Sequence, residues 1–122
     1  MVPEGEPLRE RVRAYLTSIA GMLTEPQLPG GCFIATTSCE AGGGSLPATA
    51  HATLTELNRA TKRMLTDVFD HARETGDLAA DQDPAALAAY TMSLMMGMAV
   101  MARDGADRDT LMSVIDLAIQ AL

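Results

Sequence analysis

The sequence predicts an all-α fold, a five-helix orthogonal and antiparallel bundle forming one domain over residues 1–122. Three observations predict it. Apolar residues make up 48% of the chain but aromatics only 3%, with no Trp, so the core has to be built from Leu, Ala, Met, Val and Ile, a palette that favours helices over sheets. Apolar residues recur at three- and four-residue spacing along most of the chain, and no segment alternates as a strand does. The periodic segments are bounded by capping residues, glycines and prolines in the places where helices start and stop. A length of 122 residues suits a single domain with a core of its own.

The first segment, about 7–25, carries Leu8, Val12, Tyr15, Leu16, Ile19, Met22 and Leu23 on one side, with Arg9, Glu10, Arg11 and Arg13 mostly on the other. Pro7 suits its first turn and Pro26 closes it. The second, about 30–42, falls within "PGGCFIATTSCEAGG" and ends at Gly42, Gly43 and Gly44; Ser45 then caps a third helix with Pro47 in its first turn. That third helix, about 46–75, spans roughly 45 Å at the standard rise. Ala50, Leu54, Leu57, Thr61, Met64, Val68 and Ala72 form its stripe, and Leu65 and Phe69 widen it on one side. Gly76 supplies a left-handed cap. Asp83-Pro84 is a start signal, because Asp accepts from free backbone amides and Pro at the first helical position gives up only an amide with no partner. The fourth helix therefore runs from 84 to about 103, where Gly105 ends it, and Asp107 caps a fifth with Leu111, Val114, Ile115, Ala118 and Leu122 on one seam.

Composition excludes several functions. Nine basic against sixteen acidic residues leave a net charge of −7, too little positive charge for this chain alone to neutralise phosphates. Cys32 and Cys39 are seven apart, two helical turns, so their thiols share a face, and neither zinc-ligand nor C-x-x-C spacing is present. They read as small buried hydrophobes, with no metal and no cofactor. "GGCFIATTSC" lacks the Lys-Ser/Thr ending of a phosphate loop. His51 and His71 lie about 30 Å apart on one helix and cannot share a site. No nucleophile-base or paired-carboxylate arrangement emerges, so the chain is not expected to be an enzyme. With no charged and apolar leader at the start, the expected location is the cytoplasm.

Residues 84–102 are nineteen consecutive uncharged residues, long enough to cross a bilayer. Yet Leu87, Leu94 and Val100 are their only strongly lipid-loving aliphatics, and basic flanks and aromatic belts are missing, so no membrane role is expected. A helix apolar all round must instead be covered on both sides by protein. Leu87, Tyr90, Leu94, Met98 and Met101 form one seam, with Gly97 and small residues permitting close approach. A second subunit is the economical cover; the alternative is a further part of the same chain.

The order of "PGGCFI", a long following helix, "GDLAADQDPAALAAY" and "GADRDTLMSVIDLAIQAL" resembles the C-terminal effector-binding and dimerisation domain of TetR-like transcriptional regulators, over nearly the whole chain. The resemblance implies a homodimer whose last two helices pair with their mates as a four-helix bundle. It also implies a small-molecule pocket enclosed by the preceding helices, in a repressor whose operator DNA is read by an N-terminal helix-turn-helix domain that this chain lacks. The residues that can line such a pocket are Tyr15, Ile19 and Met22 from the first helix, Phe33, Thr36 and Thr37 from the second, and Leu54, Leu57, Thr61 and Met64 from the third. They would form an apolar chamber with a few hydroxyls, suited to a small apolar or amphipathic effector. The same residues can also fill one another's space as a dry core, which would make the chain a ligand-free helical dimerisation module.

Overall fold

A computed structural model of the protein describes residues 7–25 and 48–122. Among the described residues there are four helices and no strand: α1 Leu8–Leu23, α2 Ala48–Glu74, α3 Pro84–Arg103 and α4 Arg108–Ile119. The helix expected over 30–42, with Cys32 and Cys39, lies outside them.

The ends of α3 and α4 follow from local chemistry. Asp83 accepts from the Ala85 amide at 3.0 Å with Pro84 opening the helix, and Asp107 accepts from the Thr110 amide at 2.9 Å and its hydroxyl at 2.8 Å. The Thr110 amide and hydroxyl together hold the Asp107 carboxyl below its ordinary value, so this cap is complete at neutral pH and weakens as pH falls through that lowered value. Gly76 and Gly105 take φ of +83° and +99°, the left-handed conformation that glycine adopts without steric cost, just past α2 and α3.

In the bundle α3 packs against both α2 and α1, and α1 packs in turn against α4. α3 has the length and mean hydropathy, 1.6, of a membrane-crossing helix, and here it stands between two neighbours. Its inward row is Pro84, Leu87, Ala88, Thr91, Met98, Ala99 and Ala102. The one buried hydroxyl of that row is satisfied within the helix, Thr91 donating to the Leu87 carbonyl at 2.8 Å, and no buried side-chain polar atom among the described residues lacks a partner. The largest fully enclosed side chains are Phe69, Leu8, Leu16, Leu65, Met98, Leu111 and Ile115, one from nearly every turn that faces inward.

On α2 the inward edge differs from the expected stripe. Leu65, Phe69 and Ala72 are completely covered, whereas Leu57 is 48% exposed and Met64 and Val68 are half-buried. The helix is rotated so that the larger residues, Leu65 and Phe69, meet α3 and the common core. Between Ala48 and Met64 only Leu54 is buried. The contrast yields a test. Phe69→Ala should lower unfolding free energy by about 3–5 kcal/mol, as truncation of an enclosed aromatic does, while Leu57→Ala should stay within about 0.5 kcal/mol, both read from urea denaturation.

Candidate functional site

Two surfaces could carry function: the faces of α1 and α2 expected to enclose a chamber, and the outer faces of α3 and α4 expected to pair.

For the first, α1 presents Tyr15, Ile19 and Met22 on successive turns. Tyr15 and Ile19 are half-buried against the core, and Met22 is 54% exposed. α2 presents Leu54, buried; Leu57, exposed; and Thr61 and Met64, half-buried. Phe33, Thr36 and Thr37 lie outside the described residues. α1 and α2 each pack on α3, and their contact with one another is slight, so these apolar rows are held apart on a shared support. Thr61 donates its hydroxyl to the Leu57 carbonyl at 3.0 Å, and Thr53, Thr55 and Thr66 bond in the same way to carbonyls one turn back, at 3.0, 2.9 and 2.7 Å. Threonines bonded in this way satisfy themselves on the helix that carries them.

A cleft of about 340 Å³ lies elsewhere, at the N-terminal end of α1, where Pro7, Leu8, Arg9, Asp77, Leu78, Ala79, Gln82 and Leu122 surround it. A crevice of about 10 Å³ separates α1, α3 and α4 beside Val12, Leu16, Thr91 and Ile119, room for no more than about one water. His51 and His71 are exposed, and no group of three or more metal-ligating side chains occurs among the described residues.

For the second surface, the ten residues expected to pair divide into two sets. Leu87, Met98, Leu111, Ile115 and Ala118 belong to the protomer's own core; Met98 is only 1% exposed. Leu94, Val114 and Leu122 are half-buried, and Tyr90 and Met101 are exposed. The outward apolar side chains are thus Tyr90, Val100 and Met101 on α3 and Leu117 on α4, the last 69% exposed. Spacing identified the helices but not their rotation, and Val100 and Leu117 were not among the residues the seams singled out for pairing.

Residues 9–118 match the sequence profile of the tetracyclin repressor-like C-terminal domain. The chain belongs to that family. Two solved structures with the tetracyclin repressor-like fold are similar, both of cysteine-substituted variants of the TetR family transcriptional regulator CifR complexed with 26-base-pair double-strand operator DNA. They share 24% and 23% identity with this chain at a TM-score of 0.81, over 96% of this chain and 60% of theirs. At that identity the likeness is one of fold. This tetracyclin repressor-like domain therefore spans about 60% of the length of those regulators. No curated protein matches it.

Within the domain, Tyr15 is the group on the expected chamber face whose chemistry is altered. Burial raises its hydroxyl above the ordinary tyrosine value of 10.0. Because the folded state then holds the proton more tightly than the unfolded chain, the contribution of Tyr15 to stability is complete below pH 10.0 and is lost as pH rises towards the raised value. In a Tyr90→Phe background, where Tyr15 is the sole remaining tyrosine, the tyrosinate absorbance should rise only above the midpoint of a model peptide; a midpoint at or below that of the peptide would show that the ring is not desolvated.

Proposed function

We propose that this chain is the effector-sensing and dimerisation domain, residues 1–122, of a TetR-like transcriptional repressor. The family match over residues 9–118 carries the proposal, and the placement of the apolar side chains supports it. The effector is a small, mostly apolar or amphipathic compound held by Tyr15, Ile19, Met22, Leu54, Leu57, Thr61 and Met64, with Phe33, Thr36 and Thr37 from the intervening segment. Operator DNA is contacted through a separate N-terminal head, in keeping with the net charge of −7 here and with the operator complexes of the CifR variants. The protein works in the cytoplasm as a homodimer, without cofactor or enzymatic activity. A ligand in the chamber would alter DNA binding to the extent that it favours one arrangement of the helices over another.

Pairing falls to the outward residues of α3 and α4. A Glu at Met98 would bury a charge inside the protomer and unfold it, so it tests nothing about association. Leu117→Glu combined with Val100→Glu places charge on exposed positions. Light scattering should then give the monomer mass with helical circular dichroism unchanged; a dimer that persists undiminished would remove this face from the interface.

The sensing role is tested by thermal shift with a broad set of apolar and amphipathic compounds. A ligand at a hundred times its Kd adds about 2.7 kcal/mol to the folded state, and Thr61→Trp, which fills the chamber, should abolish the rise while leaving the dimer folded. Absence of any shift across the set would favour the ligand-free dimerisation module.

A further inference from the structure

The first turn of α1 has no cap of its own. Pro7 occupies its N-cap position and makes no side-chain capping bond. The acceptor comes instead from sixty-nine positions along the chain: the Leu8 amide donates to Asp77 Oδ2 at 2.7 Å, in a part-buried setting. Asp77 is placed in turn by the way α2 ends. Gly76 turns the backbone at φ +83°, and the amides of Asp77 and Leu78 both donate to the Ala72 carbonyl, at 2.9 and 3.0 Å. Ala72 and Leu78 are buried, so this terminus is anchored to the core. Further contacts tie α1 to the C-terminal end of the chain: the Arg9 guanidinium donates to the Leu122 carbonyl, and Arg13 pairs with Asp116 of α4.

We infer that Asp77 is a positioning residue that couples the C-terminal end of α2 to the first turn of α1. A Ser, Thr or Asp at position 7 would accept from the Arg9 or Glu10 amide and hold the first turn from within α1. With Pro there, the start of α1 depends on where α2 ends. The dependence is steep, since a displacement of one ångström takes a 2.7 Å hydrogen bond beyond the range in which it is one. There is also room for that displacement, because the 340 Å³ cleft opens beside the bond, between Asp77, Leu78 and Gln82 on one side and Leu8 and Arg9 on the other. The carboxylate additionally favours the positive end of the α1 dipole, so its loss removes two stabilising effects at once. Residues 1–6 and anything ahead of them are joined covalently to this turn. The significance for a DNA-reading head rests on the proposed function; the coupling itself is a property of this chain and needs neither effector nor DNA.

Amide exchange at Leu8, followed by rapid-exchange NMR on the 122-residue chain, tests it, with amides in the middle of α3 as the reference for global opening. Asp77→Ala should speed Leu8 exchange by about tenfold, and Asp77→Asn should restore it to within about threefold, since Asn caps about as well as Asp. Gly76→Ala strains the left-handed end of α2 and should speed Leu8 exchange while Asp77 is present. In the Asp77→Ala background it should add nothing at Leu8. Equal acceleration by Gly76→Ala in both backgrounds, or no response of Leu8 to Asp77→Ala, would overturn the coupling, and either result leaves the compound screen for sensing unaffected. If Asp77→Ala does not fold, failure of Gly76→Ala to move Leu8 exchange in the otherwise unaltered chain, relative to the α3 reference, still overturns it.

Discussion

The structure depends on covering α3. Nineteen residues without a charge have to be taken out of water, and the hydrophobic effect rewards that at roughly 25 cal/mol for each Å² removed. α2 and α1 do it from the inner side, where the row from Pro84 to Ala102 meets Phe69, Leu65 and Leu16. The long α2 and the tight turn at Gly76 bring one neighbour back against α3, and α1 supplies the other. Cover on one side leaves Tyr90, Val100 and Met101 outward, together with Leu117 of α4. The apolar outer face thus follows from the same excess of apolar residues that builds the core.

The capping contacts in this bundle locate helix ends, while the Arg13–Asp116 pair links α1 to α4 along their lengths. Asp83 and Asp107 begin helices, Gly76 and Gly105 finish them, and Asp77 begins a helix to which it does not belong. The surface ion pairs, Glu56 with Arg59 and Arg63 at 3.5 and 3.1 Å and Asp70 with Arg73 at 3.1 Å, contribute little beyond solubility, as exposed pairs usually do. Faces meet mainly through buried apolar side chains, and ends are set by hydrogen bonds.

That division explains what could be read from the sequence. The four capping positions were legible because a cap is local chemistry, settled within four residues, and α3 was bounded at both ends on that basis. Rotation about the helix axis was not. On α2 the row through Leu54, Leu57 and Met64 and the row through Leu65 and Phe69 are both apolar, and only the neighbour that α3 provides decides between them. The same ambiguity on α3 and α4 assigned Met98, Leu111 and Ile115 to pairing when the protomer encloses them. Of the residues expected to line a chamber, spacing put Tyr15 and Ile19 on one face of α1 and Thr61 and Met64 on one face of α2, and all four are half-buried. Asp77 could not be recognised, because its partner is sixty-nine positions away and nothing near Leu8 announces it.

The threonines of α2 have a consequence for molecular recognition. A hydroxyl has one hydrogen to give, and Thr53, Thr55, Thr61 and Thr66 have each given theirs to the turn behind. What these side chains turn towards an approaching molecule is therefore a methyl group and a pair of oxygen lone pairs. Each such side chain accepts hydrogen bonds and offers none: an alcohol or an amine finds a partner on it, and a bare ketone or ester carbonyl does not.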